Sequence, residues 1–294
     1  MKKILRVLLV IAIVSMINFP AKSQDKEVGL IIGITEYLGD LTWAHVSWNE
    51  TKPGFGALYR YYFNPRFNFK GGLYYGWISG WDGNKDADPP GQAYTRNVSF
   101  KSHLLDFTAQ IEYNILPFIS GNKLRNWAPY VFAGISVFNF APKAELNGTW
   151  YKLQPLGTEG QGHAGYEPKY SLTQFSIPYG FGLKYSFKRP VNSRALNLYL
   201  WNIGIYVSQN KTFTDHLDDI GGRYPNWNDL LGGLDAVNGI AAQLSDREGS
   251  IVGGSYVPVR TPGTVRGNPD ANDAYMWFGF TISKTFRKNT CFCF

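Results

Sequence analysis

Between Phe175 and Phe187 every second residue is large and apolar: Phe175, Ile177, Tyr179, Phe181, Leu183, Tyr185 and Phe187. The residues between them are Ser176, Pro178, Gly180, Gly182, Lys184 and Ser186. Alternation with period two places the two sets on opposite faces of a β-strand. One long apolar face backed by small and polar residues suits a barrel wall, with lipid outside and a filled interior. Residues 101–115 repeat the pattern, Leu105, Phe107, Ala109, Ile111, Tyr113 and Ile115 opposing Asp106, Thr108, Gln110, Glu112 and Asn114. Residues 274–286 set Met276, Phe278, Phe280 and Ile282 against Gly279, Thr281, Ser283 and Thr285. Weaker alternation marks 26–36, 54–63, 67–80, 128–140 and 195–208. The pattern therefore predicts eight strands, an even number as bacterial barrels require, each long enough to cross a bilayer when tilted.

The connections alternate in length. Residues 64–66 and 188–193 make short turns and 116–127 an intermediate one, whereas 37–53, 81–98, 141–172 and 209–273 are long. Short turns at one end and long loops at the other complete the expectation of an all-β, eight-stranded antiparallel transmembrane β-barrel. The longest loop, 209–273, is expected to fold as a small subdomain, with Leu230, Leu231, Leu234, Val237, Ile240, Ala241 and Leu244 at helical spacing over 228–247. Eight strands close around their own side chains. The inward positions include Arg60, Lys70, Asp106, Glu112 and Lys184. Unpaired buried charge is expensive, so Arg60 is expected to pair with Glu112 or Asp106, giving a plugged interior.

Composition adds aromatic and glycine richness, with 16% Phe, Trp and Tyr and 32 glycines against 17% charged residues. That balance favours pleated, closely packed strands with aromatic girdles. The first residues read differently. Lys2, Lys3 and Arg6 precede an apolar run from Val7 to Ile17, and Ala21-Lys22-Ser23 offers a small-residue cleavage site. Residues 1–23 are thus expected to be a secretory signal peptide and 24–294 the mature barrel, in an outer membrane. The chain holds 29 basic and 22 acidic residues; losing Lys2, Lys3, Arg6 and Lys22 leaves 25 bases, too even a balance to suggest a nucleic-acid partner.

Candidate chemistry is sparse. Asp82-Gly83-Asn84-Lys85-Asp86-Ala87-Asp88 imitates a calcium loop, but Ala87 and Ala93 stand where the turn glycine and bidentate glutamate belong. Asp215, His216, Asp218 and Asp219 form a polar motif in the longest loop, readable as a metal or partner site or as helix capping by Thr214 or Asp215. Cys291 and Cys293 lack the further ligands of a structural zinc site. Ser102 and His103 are adjacent and so point to opposite faces; no nucleophile, base and orienting group can be assembled. A non-enzymatic protein with no metal and no cofactor is expected.

Three stretches resemble the PorG-type outer-membrane barrels of the type IX secretion system. They are Val28-Gly29 through Tyr37-Leu38-Gly39-Asp40-Leu41; Tyr59-Arg60-Tyr61-Tyr62-Phe63-Asn64-Pro65-Arg66 leading to Tyr74-Tyr75-Gly76-Trp77-Ile78-Ser79-Gly80; and Phe213-Thr214-Asp215-His216-Leu217-Asp218-Asp219-Ile220 followed by Leu244-Ser245-Asp246-Arg247. The resemblance covers nearly the whole mature chain; His216 stands where the family usually has an aromatic residue. It implies an outer-membrane component that associates with periplasmic ring proteins. The turn 116–127, with Phe118, Ile119, Lys123, Arg125 and Trp127, and the tail 287–294 are the expected docking surface, the turn's apolar residues taken as exposed anchors. The alternatives are a free-standing surface-binding or adhesion barrel and a lipid-modifying enzyme.

Overall fold

Strand pairing runs unbroken around a closed ring. The computed structural model describes residues 25–41, 49–83, 96–187, 199–231, 239–253, 255–268 and 271–286. The expected signal peptide 1–23, the expected turn 188–193, Asp86 and Asp88, Leu234 and Val237, and the tail 287–294 with Cys291 and Cys293 lie outside these. The wall consists of β1 (Lys26–Leu38), β2 (Lys52–Tyr62), β3 (Phe67–Trp81), β4 (Ser99–Asn114), β5 (Trp127–Phe140), β8 (Thr173–Ser186), β9 (Tyr199–Thr212) and β12 (Ala274–Phe286). Each pairs antiparallel with its neighbours in the order β3-β2-β1-β12-β9-β8-β5-β4, and β3 pairs with β4 to close the ring. Two hairpins are added at the loop end: β6 (Lys143–Leu146) with β7 (Thr149–Lys152), which continues the wall beside β4, and β10 (Ser250–Val252) with β11 (Ser255–Val257). Among the described residues three short helices also lie in the loops: α1 (Leu153–Leu156), α2 (Trp227–Leu231) and α3 (Ile240–Ser245).

Alternation is realised on every wall strand. Phe175, Ile177, Tyr179, Phe181 and Leu183 are exposed, while Ser176 and Lys184 are buried. Phe181 stays 62% exposed and Ile135 68%, values that in water would leave a broad apolar surface uncovered. Lipid is the environment that matches this belt, so the barrel is transmembrane. Inward glycines make room for large rings: a Cβ at Gly182 would collide with the Tyr130 ring and with the Ile205 carbonyl.

Two expectations shift. The seventh strand is Tyr199–Thr212 instead of 195–208. Its apolar outward set ends at Val207, but pairing with β8 and β12 continues through Gln209 and Lys211, so the strand rises above the apolar belt. The single helix over 228–247 is also replaced by α2 and α3. Gly239, in the left-handed region at φ 57°, begins α3 and breaks any helix continuing through it.

Candidate functional site

The interior is stacked in layers. Lowest, at the end of the short turns, Glu27 lies directly across from Arg60 in the β1–β2 register. Arg60 forms an ion pair with Glu27 and a two-pronged one with Glu112, from Nε at 2.7 Å and Nη2 at 3.0 Å. Lys184 reaches in from β8 to Glu112 at 2.9 Å. Tyr62 and Ser283 donate to Glu27, the latter at 2.6 Å. All four charged groups are buried, and two acids balance two bases.

Arg60 thus chooses Glu112 over Asp106, and adds Glu27, which alternation did not single out. Register supplies the reason. Arg60 lies level with Lys70, and Lys70 with Gln110. Glu112 is two residues below Gln110, but Asp106 is four above, about 13 Å along the strand. Asp106 belongs to the upper layer, accepting from Tyr275 at 2.8 Å. Between the layers Lys70 is fully buried, its Nζ 4.5 Å from the Tyr206 ring centre and 5.1 Å from that of Phe132. Among the described residues no oxygen bonds this ammonium, so ring faces carry the interaction.

Both mouths are covered. At the short-turn end, residues 115–126 fold across the opening. Phe118 is not an exposed anchor: it is 2% exposed and stacked on Tyr62 at 6.0 Å, with Lys184 Nζ 5.4 Å from its ring centre. Ser120 crosses to the far wall, its Oγ 3.2 Å from Asn202 and 3.0 Å from Thr285. Gly121, at φ 73°, turns the chain there, with the Leu200 side chain filling the space a Cβ would need. Phe118 is the apolar residue of this turn that plugs the barrel. What it leaves outward is Lys123, Arg125, Trp127 and Leu124, the last 89% exposed; Ile119 is half-buried.

At the loop end a cap is tied together by buried polar contacts. The Tyr37 hydroxyl stands 2.7 Å from both Asp218 and Asp273. Arg266 donates to Glu159 at 3.0 Å and to the Asp219 carbonyl at 2.6 Å, and Arg96 clamps Asp82 at 2.7 and 2.8 Å. That occupies the first carboxylate of the calcium-like stretch. Asp219, with φ 68°, accepts from Tyr170 at 2.7 Å. Residues 213–222 are bends with no helix, so Thr214 and Asp215 cap nothing; Asp218 instead accepts from the Ile220 N–H at 2.9 Å. His216 stacks on Tyr170 with ring centres 4.7 Å apart. Among the described residues no set of three metal-ligating side chains converges.

The cap is acid-rich. Burial, with Asp40, Asp218 and Glu159 nearby, pushes the Asp215 carboxyl up to about 8. Burial and the neighbouring Asp273 likewise raise Asp218. Burial brings Asp219 to about 6 and lowers His216. Ser102 and His103 diverge as their adjacency requires: Ser102 is buried and accepts from the Ala141 N–H at 2.9 Å, while His103 lies on the outer face opposite Trp77.

Solved structures similar to this chain include three of 9–10% identity. Neisserial surface protein A aligns over 88% of this chain and 95% of its own, at 9% identity and TM-score 0.38. Ail, the attachment invasion locus protein of Yersinia pestis, covers 90% and 99%, at 9% and 0.35. The outer membrane protein OprG from Pseudomonas aeruginosa covers 92% and 97%, at 10% and 0.35. The fold stands on the strand register instead. No curated protein matches the sequence. Residues 2–154, more than half of the 294, match the family described as a domain of unknown function, DUF6089, and the chain belongs to that family.

Proposed function

We propose that this chain is a non-conducting outer-membrane barrel that acts through its surfaces, as an anchoring component of the type IX secretion machinery. The observation that carries the first part is closure at three levels: the Phe118 turn, the Arg60–Glu112–Lys184 network and the cap. A barrel filled in this way offers no route for a folded cargo. The secretion role is supported by the resemblance of the chain to PorG-type barrels. In that setting the N-terminus and short turns face the periplasm, and Lys123, Leu124 and Arg125 form the accessible point for a ring protein, flanked by Trp127 at the bilayer edge. The test is deletion of the gene, followed by assay of cargo export, with pull-down of ring proteins on the tagged barrel. Lost export and co-purification support the role; Lys123→Glu/Leu124→Ser/Arg125→Glu should reduce both while the barrel still assembles. Normal export in the deletion strain defeats it.

A second reading is favoured by the cap itself. Its folded surface displays Ile251, Val252, Val257 and Val259. A free-standing surface-binding barrel would use this face, and its deletion strain would export normally while losing attachment.

A further inference from the structure

Above the apolar belt, the wall does not stop at β4 but continues through the β6–β7 hairpin, and this extension carries an unusual row of like charges. Lys101 of β4 is register partner to Lys143 of β6, which is partner to Lys152 of β7. Direct partners share a face, and on this sheet that face points outward: Ala144 and Tyr151, on the other side, join the core beneath the cap. Strand spacing puts the three lysines within about 10 Å of one another. Like charges directly opposite each other destabilise a sheet. Among the described residues no acid lies within ion-pair distance of any of them. Two acids lie beside the row: Glu145, with Arg247 donating to its carbonyl at 2.9 Å, and Glu50, whose carboxylate accepts from Ser79, the register partner of Lys101, and pairs with Lys52 at 3.9 Å.

The patch is also at a defined height. Its outward face is continuous with the lipid-facing residues Leu105 and Phe107 of the same strand, with His103 between. Trp77 and Trp81 on adjacent β3 are outward and exposed opposite His103 and Ser99, so they bracket the height of Lys101 as residues of a girdle at the bilayer edge would. Trp150, also exposed, lies against Lys101, whose Nζ is 4.7 Å from its ring centre. A row of cations directly above acyl-chain contacts complements an amphiphile whose anionic group sits at the top of its tails.

We propose that Lys101, Lys143 and Lys152, with Trp150, bind the phosphorylated headgroup of an outer-leaflet glycolipid, its acyl chains lying along Phe107 and Leu105. The phosphate neutralises the row and the tryptophan packs on the sugar. This rests on the reading that the long loops face outward from the outer membrane.

The experiment uses the purified full-length barrel in detergent, with bisphosphorylated lipid A and its dephosphorylated form as probes, read by native mass spectrometry. Wild type should retain the bisphosphorylated form in preference. Lys101→Gln/Lys143→Gln/Lys152→Gln should bind it about a hundredfold more weakly, since each charge at an anionic surface is worth a factor of about five. Lys211→Gln, at the same end of the barrel on β9, should bind as wild type, and inorganic phosphate should not displace the lipid. Equal retention of the two lipids, unchanged binding by the triple variant, or an equal loss from Lys211→Gln overturns the site. Displacement by inorganic phosphate overturns the lipid as its occupant. Membrane fractionation separates the underlying reading: recovery outside the outer membrane defeats the location, whereas outer-membrane recovery without phosphate-dependent binding defeats the site.

Discussion

Glu112→Gln isolates the lower charge layer. Glu112 is fully buried and takes three charge-assisted contacts, two from Arg60 and one from Lys184. After the change Arg60 keeps Glu27. Lys184 keeps the Asn68 amide oxygen at 3.0 Å and ring faces, Tyr130 at 4.6 Å and Tyr62 and Phe118 at 5.4 Å. Stripping one partner from a buried pair costs about 3–5 kcal/mol, because it leaves an uncompensated charge. Removing that charge as well, in Glu112→Gln/Lys184→Met, should return most of the loss, since deleting a whole buried pair is often neutral. The assay is the urea midpoint for reversible folding into lipid vesicles, followed by the mobility difference between unheated and boiled samples. A Glu112→Gln cost of about 1 kcal/mol or less would refute the layered network. So would a double variant whose loss equals the sum of the singles, because coupled neighbours must depart from additivity.

Further outcomes follow from other layers. Phe181→Arg, at the middle of the lipid-facing belt, should cost about 2–4 kcal/mol in the same folding assay; an unchanged midpoint would place Phe181 off the lipid face. Gly182→Val should prevent assembly by driving a side chain into Tyr130, and normal heat-modifiable mobility would contradict the close approach. Phe118→Ala should cost about 3–5 kcal/mol as a buried ring is lost, where an exposed anchor would cost almost nothing. The cap should loosen as pH rises. An acid whose pKa is raised by folding binds its proton more tightly when folded, so stability is greatest below the unfolded value near 4 and is lost as pH rises through the folded value, about 8 for Asp215. His216, lowered by burial, acts in the opposite sense only below about 6.5. Hydrogen exchange in 213–222 should therefore quicken between pH 7 and 9 beyond its intrinsic base catalysis, less so in Asp215→Asn; identical profiles would remove Asp215 from the account.

Much of the wall was legible because the lipid boundary writes itself as period two. Phe175 through Phe187 needed nothing but alternation, and 274–286 was bounded as observed. β9 was displaced because Gln209 and Lys211 are outward yet above the lipid, where pairing continues without an apolar mark. The site was legible by face but not by height. Alternation sent Arg60, Asp106, Glu112 and Lys184 inward, yet only register separates Glu112 from Asp106. Phe118 misled for a related reason: an apolar residue in a turn signals burial without saying against what, and a partner protein and the barrel's own mouth are equivalent in sequence. The cap contacts of Asp218 with Tyr37 and Asp219 with Tyr170 join residues distant along the chain, which no local pattern encodes.

Closure is the claim on which the rest depends, and planar-bilayer recording of the purified full-length barrel tests it most directly. With the Phe118 turn and the cap both in place, insertion should produce no stepwise, voltage-proportional current in concentrated potassium chloride. Steady ohmic steps that scale with the number of inserted wild-type molecules would mean an open lumen and would contradict the account.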